Sequence, residues 1–335
     1  MKTISKKTTK QHHRNKHGSS IMSVLLKSFM MKKMKLFVFI VSFLPLTVIS
    51  QNDVHFSQYM FNETIFNPAA IEISNTINAS LIARQQWVGF ENAPSSQSLN
   101  ASTYIQEIFG GVGINIIHDK LGYESFLTAR AFYAFPVQIS VLSSLTFGLG
   151  AGIVNRTIDG TDLRYEDMND PNALFGRESF LRPDFNFGME YVDPNLTAGF
   201  AITHLYRSVR GAEIDYAPRH YYLYAKYLFE DVADNISLQP YILFKSSWYI
   251  TQFDINLIAY YDDVFWGGFS YRLGDAISAM VGYNITPEIR VGYAYDYSVG
   301  VSRGYSGGSH EIMISTSFEG FNKNRINPKT PRLFN

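Results

Sequence analysis

Apolar and polar residues alternate along most of the chain beyond residue 76. In DFNFGMEYV (184–192), Phe185, Phe187, Met189 and Tyr191 fall on one side, and Asp184, Asn186, Gly188 and Glu190 on the other. Successive side chains of a strand point to opposite faces, so a period of two predicts strand. EIRVGYAYDY repeats it, with Ile289, Val291, Tyr293, Tyr295 and Tyr297 against Arg290, Gly292, Ala294 and Asp296. In FDINLIAYY, Phe253, Ile255, Leu257, Ala259 and Tyr261 oppose Asp254, Asn256 and Tyr260, and Ile258 is an apolar exception on the polar side. Fourteen such runs lie between residues 76 and 318. Each is roughly 9–11 residues long, the length a tilted strand needs to cross a bilayer.

The connections alternate as well. Long ones fall at odd hairpins: the fifth (156–182), the seventh (205–218) and the thirteenth (298–308). Short ones fall at even hairpins, as at Asp193-Pro194, Asp262-Asp263 and Ile285-Thr286; Gly274-Asp275 is short on an odd one. Short periplasmic turns and longer outward loops are the habit of outer-membrane barrels. The polar faces hold Gly, Ser, Thr and Asn with isolated Arg130, Lys226, Arg272 and Arg290, which is little charge for the solvated face of a β-sandwich. Tyr133, Tyr191, Tyr261 and Tyr297 lie near strand ends on the apolar faces, where an interfacial girdle belongs. The expected fold is an all-β, transmembrane, antiparallel up-and-down β-barrel of about fourteen strands, with a soluble sandwich as the alternative.

Residues 36–49, LFVFIVSFLPLTVI, follow a basic stretch and end at Val48-Ile49-Ser50. A basic region, an apolar region and a small-residue end describe a signal peptide, with cleavage expected near Ser50. Residues 1–29 are then an upstream extension, the start falling at Met30, Met31 or Met34; its His12, His13 and His17 would be a metal cluster only if that extension is made. Removing residues 1–50 takes away ten basic and no acidic residues, leaving 19 basic against 29 acidic, a net charge of −10. That disfavours nucleic acid, whose binding needs basic phosphate contacts. The chain has no cysteine, so disulfides, Cys-ligated zinc and thiol catalysis are out of play. The expected organisation is residues 1–50 as extension and signal peptide, 51–75 as an N-terminal periplasmic or plug segment, 76–318 as the barrel and 319–335 as a basic periplasmic tail.

Before the first strand stands FSQYMFNETIFNPAA (56–70), an aromatic segment closed by Asn67-Pro68-Ala69. Pro68 lacks an N–H and keeps Asn67 extended, so a regular helix or central strand is not expected there. Its aromatics need shelter from water, worth roughly 1.5–3 kcal/mol for a fully buried Phe or Met. Phe56, Tyr59, Phe61 and Phe66 are therefore candidates to tuck into the barrel as a plug; the alternative is a linker that starts strand one. RQQWVGFENAP (84–94) supplies Trp87, Gly89 and Phe90, either a docking knob on the first outward hairpin or girdle aromatics with a turn glycine.

These two blocks, with DYS (296–298) and GGSHEI (307–312), resemble the PorP/SprF family of outer-membrane proteins of type IX secretion and gliding. The matching residues are Phe56, Ser57, Gln58, Tyr59, Asn67, Pro68 and Ala69, then Gln86, Trp87, Gly89, Phe90, Ala93 and Pro94. Glu63-Thr64-Ile65-Phe66 departs from the family pattern, in which a proline and further apolar residues are commoner. The resemblance implies an outer-membrane location in a diderm bacterium and contacts with periplasmic ring proteins and lipoproteins. It also implies service to a secreted adhesin or other cargo protein.

Catalysis and cofactors are not expected. His55, His118, His204, His220 and His310 fall in neither HExxH nor GxSxG patterns. Ser309-His310 are neighbours on a strand and so face opposite ways; His310 reads as an interfacial or loop residue. Asp159, Asp162, Glu166, Asp167 and Asp170 lack EF-hand spacing and read as a solvated acidic loop. Gly110-Gly111-Val112-Gly113 suits a crowded barrel interior. The expected role is anchoring or coupling of secreted proteins; a porin-like solute or lipid channel, with Arg130, Lys226, Arg272 and Arg290 lining it, is the main alternative, and an outer-membrane enzyme the third.

Overall fold

The structure is a computed structural model that describes residues 53–74, 76–161, 175–206, 218–247, 250–300 and 306–319. The leader, His12, His13, His17, the loop acids Asp162, Glu166, Asp167 and Asp170, and the tail beyond Glu319 lie outside the described residues.

The strands are β1 (Thr76–Gln85), β2 (Ser95–Ile105), β3 (Gly110–Leu121), β4 (Glu124–Gln138), β5 (Ser144–Asp159), β6 (Arg177–Val192), β7 (Leu196–Thr203) and β8 (His220–Tyr227). They continue as β9 (Phe229–Ala233), β10 (Ile236–Ser246), β11 (Thr251–Tyr261), β12 (Phe265–Arg272), β13 (Ala276–Thr286), β14 (Ile289–Ser298) and β15 (Ser309–Glu319). β8 and β9 are two parts of one traverse that both pair with β10. They part at Leu228, which turns inward and donates its N–H to the Asn195 carbonyl at 2.8 Å. The chain thus crosses fourteen times. Each traverse pairs antiparallel with its neighbours, and β1 closes on β15 from Thr76↔Glu319 to Gln85↔His310. Closure matters because hydrocarbon offers an unpaired peptide no partner.

Connections at one end of the cylinder include 86–94, 160–176, 204–219 and 299–308, while those at the other end are short, as at 193–195 and 234–235. The long-loop end is therefore the outer one. β4, β5 and β6 outrun the expected length at 15, 16 and 16 residues, and β6 begins at Arg177 rather than 183. The ladder continues to Thr157↔Ser179 and Asp159↔Arg177, beyond the length a tilted strand needs to cross a bilayer. The fifth connection shrinks accordingly.

Alternation sorts the wall as expected. Leu81, Leu99, Leu127, Phe185, Ile255 and Ile312 face out, while Arg84, Asn100, Asp184, Asp254, Asp296 and Glu311 face in and are buried. Tyr133, Tyr261 and Tyr297 are exposed on the outer surface near strand ends. The apolar exception, Ile258, is fully buried inside. It belongs to an interior cluster with Ile82, Tyr222, Tyr241, Met280 and Met313 from the wall and Phe56, Tyr59, Met60, Ile65 and Phe66 from the N-terminal segment. The barrel's core is therefore built against its own N-terminus.

Two wall glycines leave room for that segment. A Cβ on Gly148 would stand 2.3 Å from the Ala69 nitrogen, and one on Gly188 would strike the Asn67 side-chain oxygen. Gly150, next inward on β5, would make only ordinary contacts, with Asn186 at 3.4 Å and Phe132 at 3.8 Å. Gly188→Ala and Gly148→Ala are expected to destabilise by roughly 1–3 kcal/mol through overpacking, while Gly150→Ala costs less than either. Urea unfolding of the three variants, followed by heat-modifiable gel mobility, checks the order.

Candidate functional site

The site is the filled lumen. Residues 53–74 form a strap that pairs few of its own peptide groups, having only two short 3-10 turns at Tyr59–Phe61 and Glu63–Ile65. The wall supplies further partners. Ser57 and Gln58 donate successive backbone N–H groups to the two oxygens of Glu311, at 2.6 and 2.8 Å. Ser57 Oγ donates to Asp296 at 2.7 Å and accepts from Arg84 at 2.8 Å. Arg84 itself reaches Asp296 at 2.7 Å and Glu311 at 3.3 Å. Further round, Arg272 lies 3.7 Å from Asp254, and His55 Nε2 lies 3.3 Å from the same carboxylate.

The aromatic part of the strap is gripped by rings. Phe66 stacks on Tyr222 at 4.8 Å and meets Tyr224 edge-on at 5.6 Å. Tyr59 meets Tyr241 edge-on at 5.3 Å and accepts a 2.6 Å hydrogen bond from Asn256. Phe61, only half-buried, lies between Trp266 at 4.4 Å and the Arg290 guanidinium at 4.9 Å. Lys226 reaches Glu63 at 2.5 Å. Asn67 folds back so that its Oδ1 accepts the Ala69 N–H at 2.9 Å while its Nδ2 donates to Tyr224 at 2.8 Å. Pro68, with no N–H, asks for nothing there.

The strap thus brings together Phe56, Gln58, Tyr59, Asn67, Pro68 and Ala69, all buried, with Phe61 at its edge. Trp87, Gly89 and Phe90 stand elsewhere, on the first outer hairpin. There the second and third motif blocks meet: Val88 N–H donates to Gly308 O at 2.8 Å, Gly307 N–H to Val88 O at 2.7 Å, and Trp87 N–H to Ser309 Oγ at 3.2 Å. Trp87 is half-buried, whereas Val88 and Phe90 are exposed. Gly89 takes φ +103°, a left-handed geometry suited to glycine. His310 lies on the outer face, 2.6 Å from the Tyr293 hydroxyl and beside Tyr295. Ser309 points inward and is buried. Sequence reasoning passed over Arg84, Asp296 and Glu311 as strap anchors; their inward register was the available signal.

Two spaces flank the strap. A cavity of about 240 Å3 lies at the short-turn end, lined by Glu63, Asn78, Asn100, Glu190, Lys226 and Arg290 among others. A smaller one of about 40 Å3 lies on the other side, among Asp53, His55, Arg130 and Lys245.

A family model for the type IX secretion system membrane protein PorP/SprF matches residues 48–316. The chain belongs to the PorP/SprF family. It is accordingly an outer-membrane component of type IX secretion, and works with other components of that system. No curated protein matches it. Solved structures similar to it include the Acinetobacter baumannii outer membrane protein Omp33, at 9% identity and TM-score 0.44, covering 74% of this chain and 99% of that one. The Ralstonia pickettii toluene transporter TbuX gives 12% identity and TM-score 0.47, covering 78% and 93%. The monoaromatic hydrocarbon channel CymD gives 12% and 0.48, covering 82% and 95%.

Within this PorP/SprF chain the fastening of the strap depends on buried charge. Arg84→Ala would leave Asp296 and Glu311 buried with fewer partners, and breaking such a group costs roughly 3–5 kcal/mol. The expected result is a lower urea midpoint together with faster proteolysis within residues 53–74, read by mass spectrometry of the released fragments.

Proposed function

We propose that this PorP/SprF protein is a closed outer-membrane anchor that couples a secreted adhesin or other cargo at the cell surface to periplasmic ring proteins and their lipoproteins, and that it neither conducts solutes nor catalyses a reaction. The observation that carries this reading is the strap, which crosses the lumen and is bonded to the wall along its length. Three of the four inward cations support it too. Arg130 is engaged by Asp184 at 2.5 Å, Lys226 by Glu63 and Arg272 by Asp254 and Asp275, so they brace the interior instead of offering an anion path. Ser309 and His310, on opposite faces of β15, are poorly placed to act as a nucleophile and base.

The periplasmic rim supports coupling on that side. Phe109 on the β2–β3 turn is 68% exposed and Val141 on the β4–β5 turn 93% exposed, with Ile108, Ile139 and Leu142 exposed beside them. Other turns at that end, Asp193-Pro194-Asn195 and Asp234-Asn235, are polar. Exposed apolar clusters of this kind mark interaction surfaces.

Planar-bilayer recording separates the anchor from the channel. The wild-type protein is expected to show no stable conductance, and deletion of residues 53–70 to open one; a steady wild-type pore would overturn the anchor reading in favour of transport. Tagged pull-down from outer membranes is expected to bring down a ring component or cargo protein. Phe109→Ser with Val141→Ser is expected to lower recovery of the periplasmic partner several-fold while leaving the urea midpoint unchanged.

A further inference from the structure

Three side chains unused by the anchor reading converge at the outer end of the lumen. Asp53 begins the described part of the strap, His204 follows β7 and His220 opens β8. One ligand atom from each lies within 4.8 Å of the others. His204 Nε2 stands 2.9 Å from Asp53 Oδ1, and His220 Nδ1 stands 3.5 Å from Asp53 Oδ2. Ligands held about 2.0–2.1 Å from a tetrahedral zinc ion lie roughly 3.4 Å apart, so the His204–Oδ1 separation is already close to a coordination edge, with His220 Nδ1 beside the same carboxylate.

The surroundings are those of a ligand set. The far nitrogen of His204, Nδ1, is tied to Asp184 at 2.9 Å. A carboxylate behind a ligating imidazole fixes the ring and raises its basicity. His220 is only 2% exposed, and its Nδ1, which faces the Asp53 carboxylate and neighbours the Pro218 carbonyl, makes no well-formed hydrogen bond. Thr203 and Tyr222 hydroxyls occupy Asp53 Oδ2 at 3.1 and 2.7 Å, which leaves Oδ1 for the ion. The nearby cations are engaged already, Arg130 on Asp184 at 2.5 Å and Lys245 on the Asp53 carbonyl at 2.8 Å.

We propose that Asp53, His204 and His220 form a binding site for a borderline divalent transition ion such as zinc, which fastens the outer end of the strap to β7 and β8. Two imidazoles and one carboxylate suit that class, whereas magnesium and calcium prefer all-oxygen shells. Three protein ligands leave a fourth position for water. Without metal, the 2.9 Å contact between His204 and Asp53 needs a proton between nitrogen and oxygen. The ion takes that proton's place, so binding releases a proton and weakens in acid. The bond given up on His220 is the long one, 3.3 Å from the Asp53 N–H to Nε2.

The test uses detergent-solubilised protein purified without a histidine tag. After zinc loading and dialysis, one equivalent per chain should remain, and magnesium should not compete for it. His204→Ala and His220→Ala should each abolish retention, and Asp184→Asn should weaken it roughly 10- to 100-fold. His310→Ala, on the outer girdle, should retain the full equivalent. Should the lumen variants fail to insert, cobalt in the wild type gives the answer directly: visible bands of a four- or five-coordinate imidazole site support the proposal. Retention unaltered in both His204 and His220 variants, no uptake of zinc at tens of micromolar, or a pale six-coordinate aquo spectrum of cobalt would each overturn it.

Discussion

The seam where the first strand meets the last is the constraint on which the rest of the molecule depends. Arg84 comes from β1, Glu311 from β15 and Asp296 from β14. Arg84 meets the two carboxylates only when the cylinder has closed, and all three are then buried together with two peptide N–H groups of the strap. In a low-dielectric interior, charges of this kind are tolerated only when fully paired. Closure and strap docking therefore reinforce one another energetically. An open sheet would leave the arginine without its carboxylates; an empty barrel would leave the carboxylates without the peptide groups that share their charge.

From that seam the strap works as a brace across the cylinder. Its first described residue is held at the β7 and β8 wall through His204, Tyr222 and Thr203. Ser57 and Gln58 are held at β14, β15 and β1, on the far side of a fourteen-strand ring. Asn67 returns to β6 and β8, and Pro68 and Ala69 lie against Gly148 of β5. Opposite walls are thus joined by a covalent chain at several depths. Ties of this kind between opposite walls oppose flattening of the cylinder.

Much of the barrel was legible because a membrane imposes one rule on every strand. Asp184, Asn186 and Glu190 had to share a face, and Phe185 and Phe187 the other, whatever the protein does. The alternation of long and short connections fixed which end carries the loops. The lengths of β4 to β6 were not legible, because polar residues such as Thr157 and Ser179 pair equally well beyond the length a crossing needs. The apolar intruder Ile258 was visible, but its meaning was not: period two says which way a side chain points, and what fills the space it points into is a tertiary fact. Trp87 shows the same limit. Its block and the Gly307-Gly308 block are distant in sequence, and only closure of β1 on β15 makes them neighbours.

The interior also explains why so aromatic a segment lies outside the strand pattern. A strap built from alternating residues would bury one face well and leave the other facing the wrong wall. The lumen is not uniform: it is ionic near β14, β15 and β1 and ringed by Tyr222, Tyr224 and Tyr241 near β8 and β10. A segment that must meet ions with Ser57 and Gln58, rings with Tyr59 and Phe66, and glycine hollows with Asn67-Pro68-Ala69 cannot be periodic. It has to change direction within a few residues, which short 3-10 turns and a proline allow. The irregularity of the sequence there is the imprint of an interior whose walls differ.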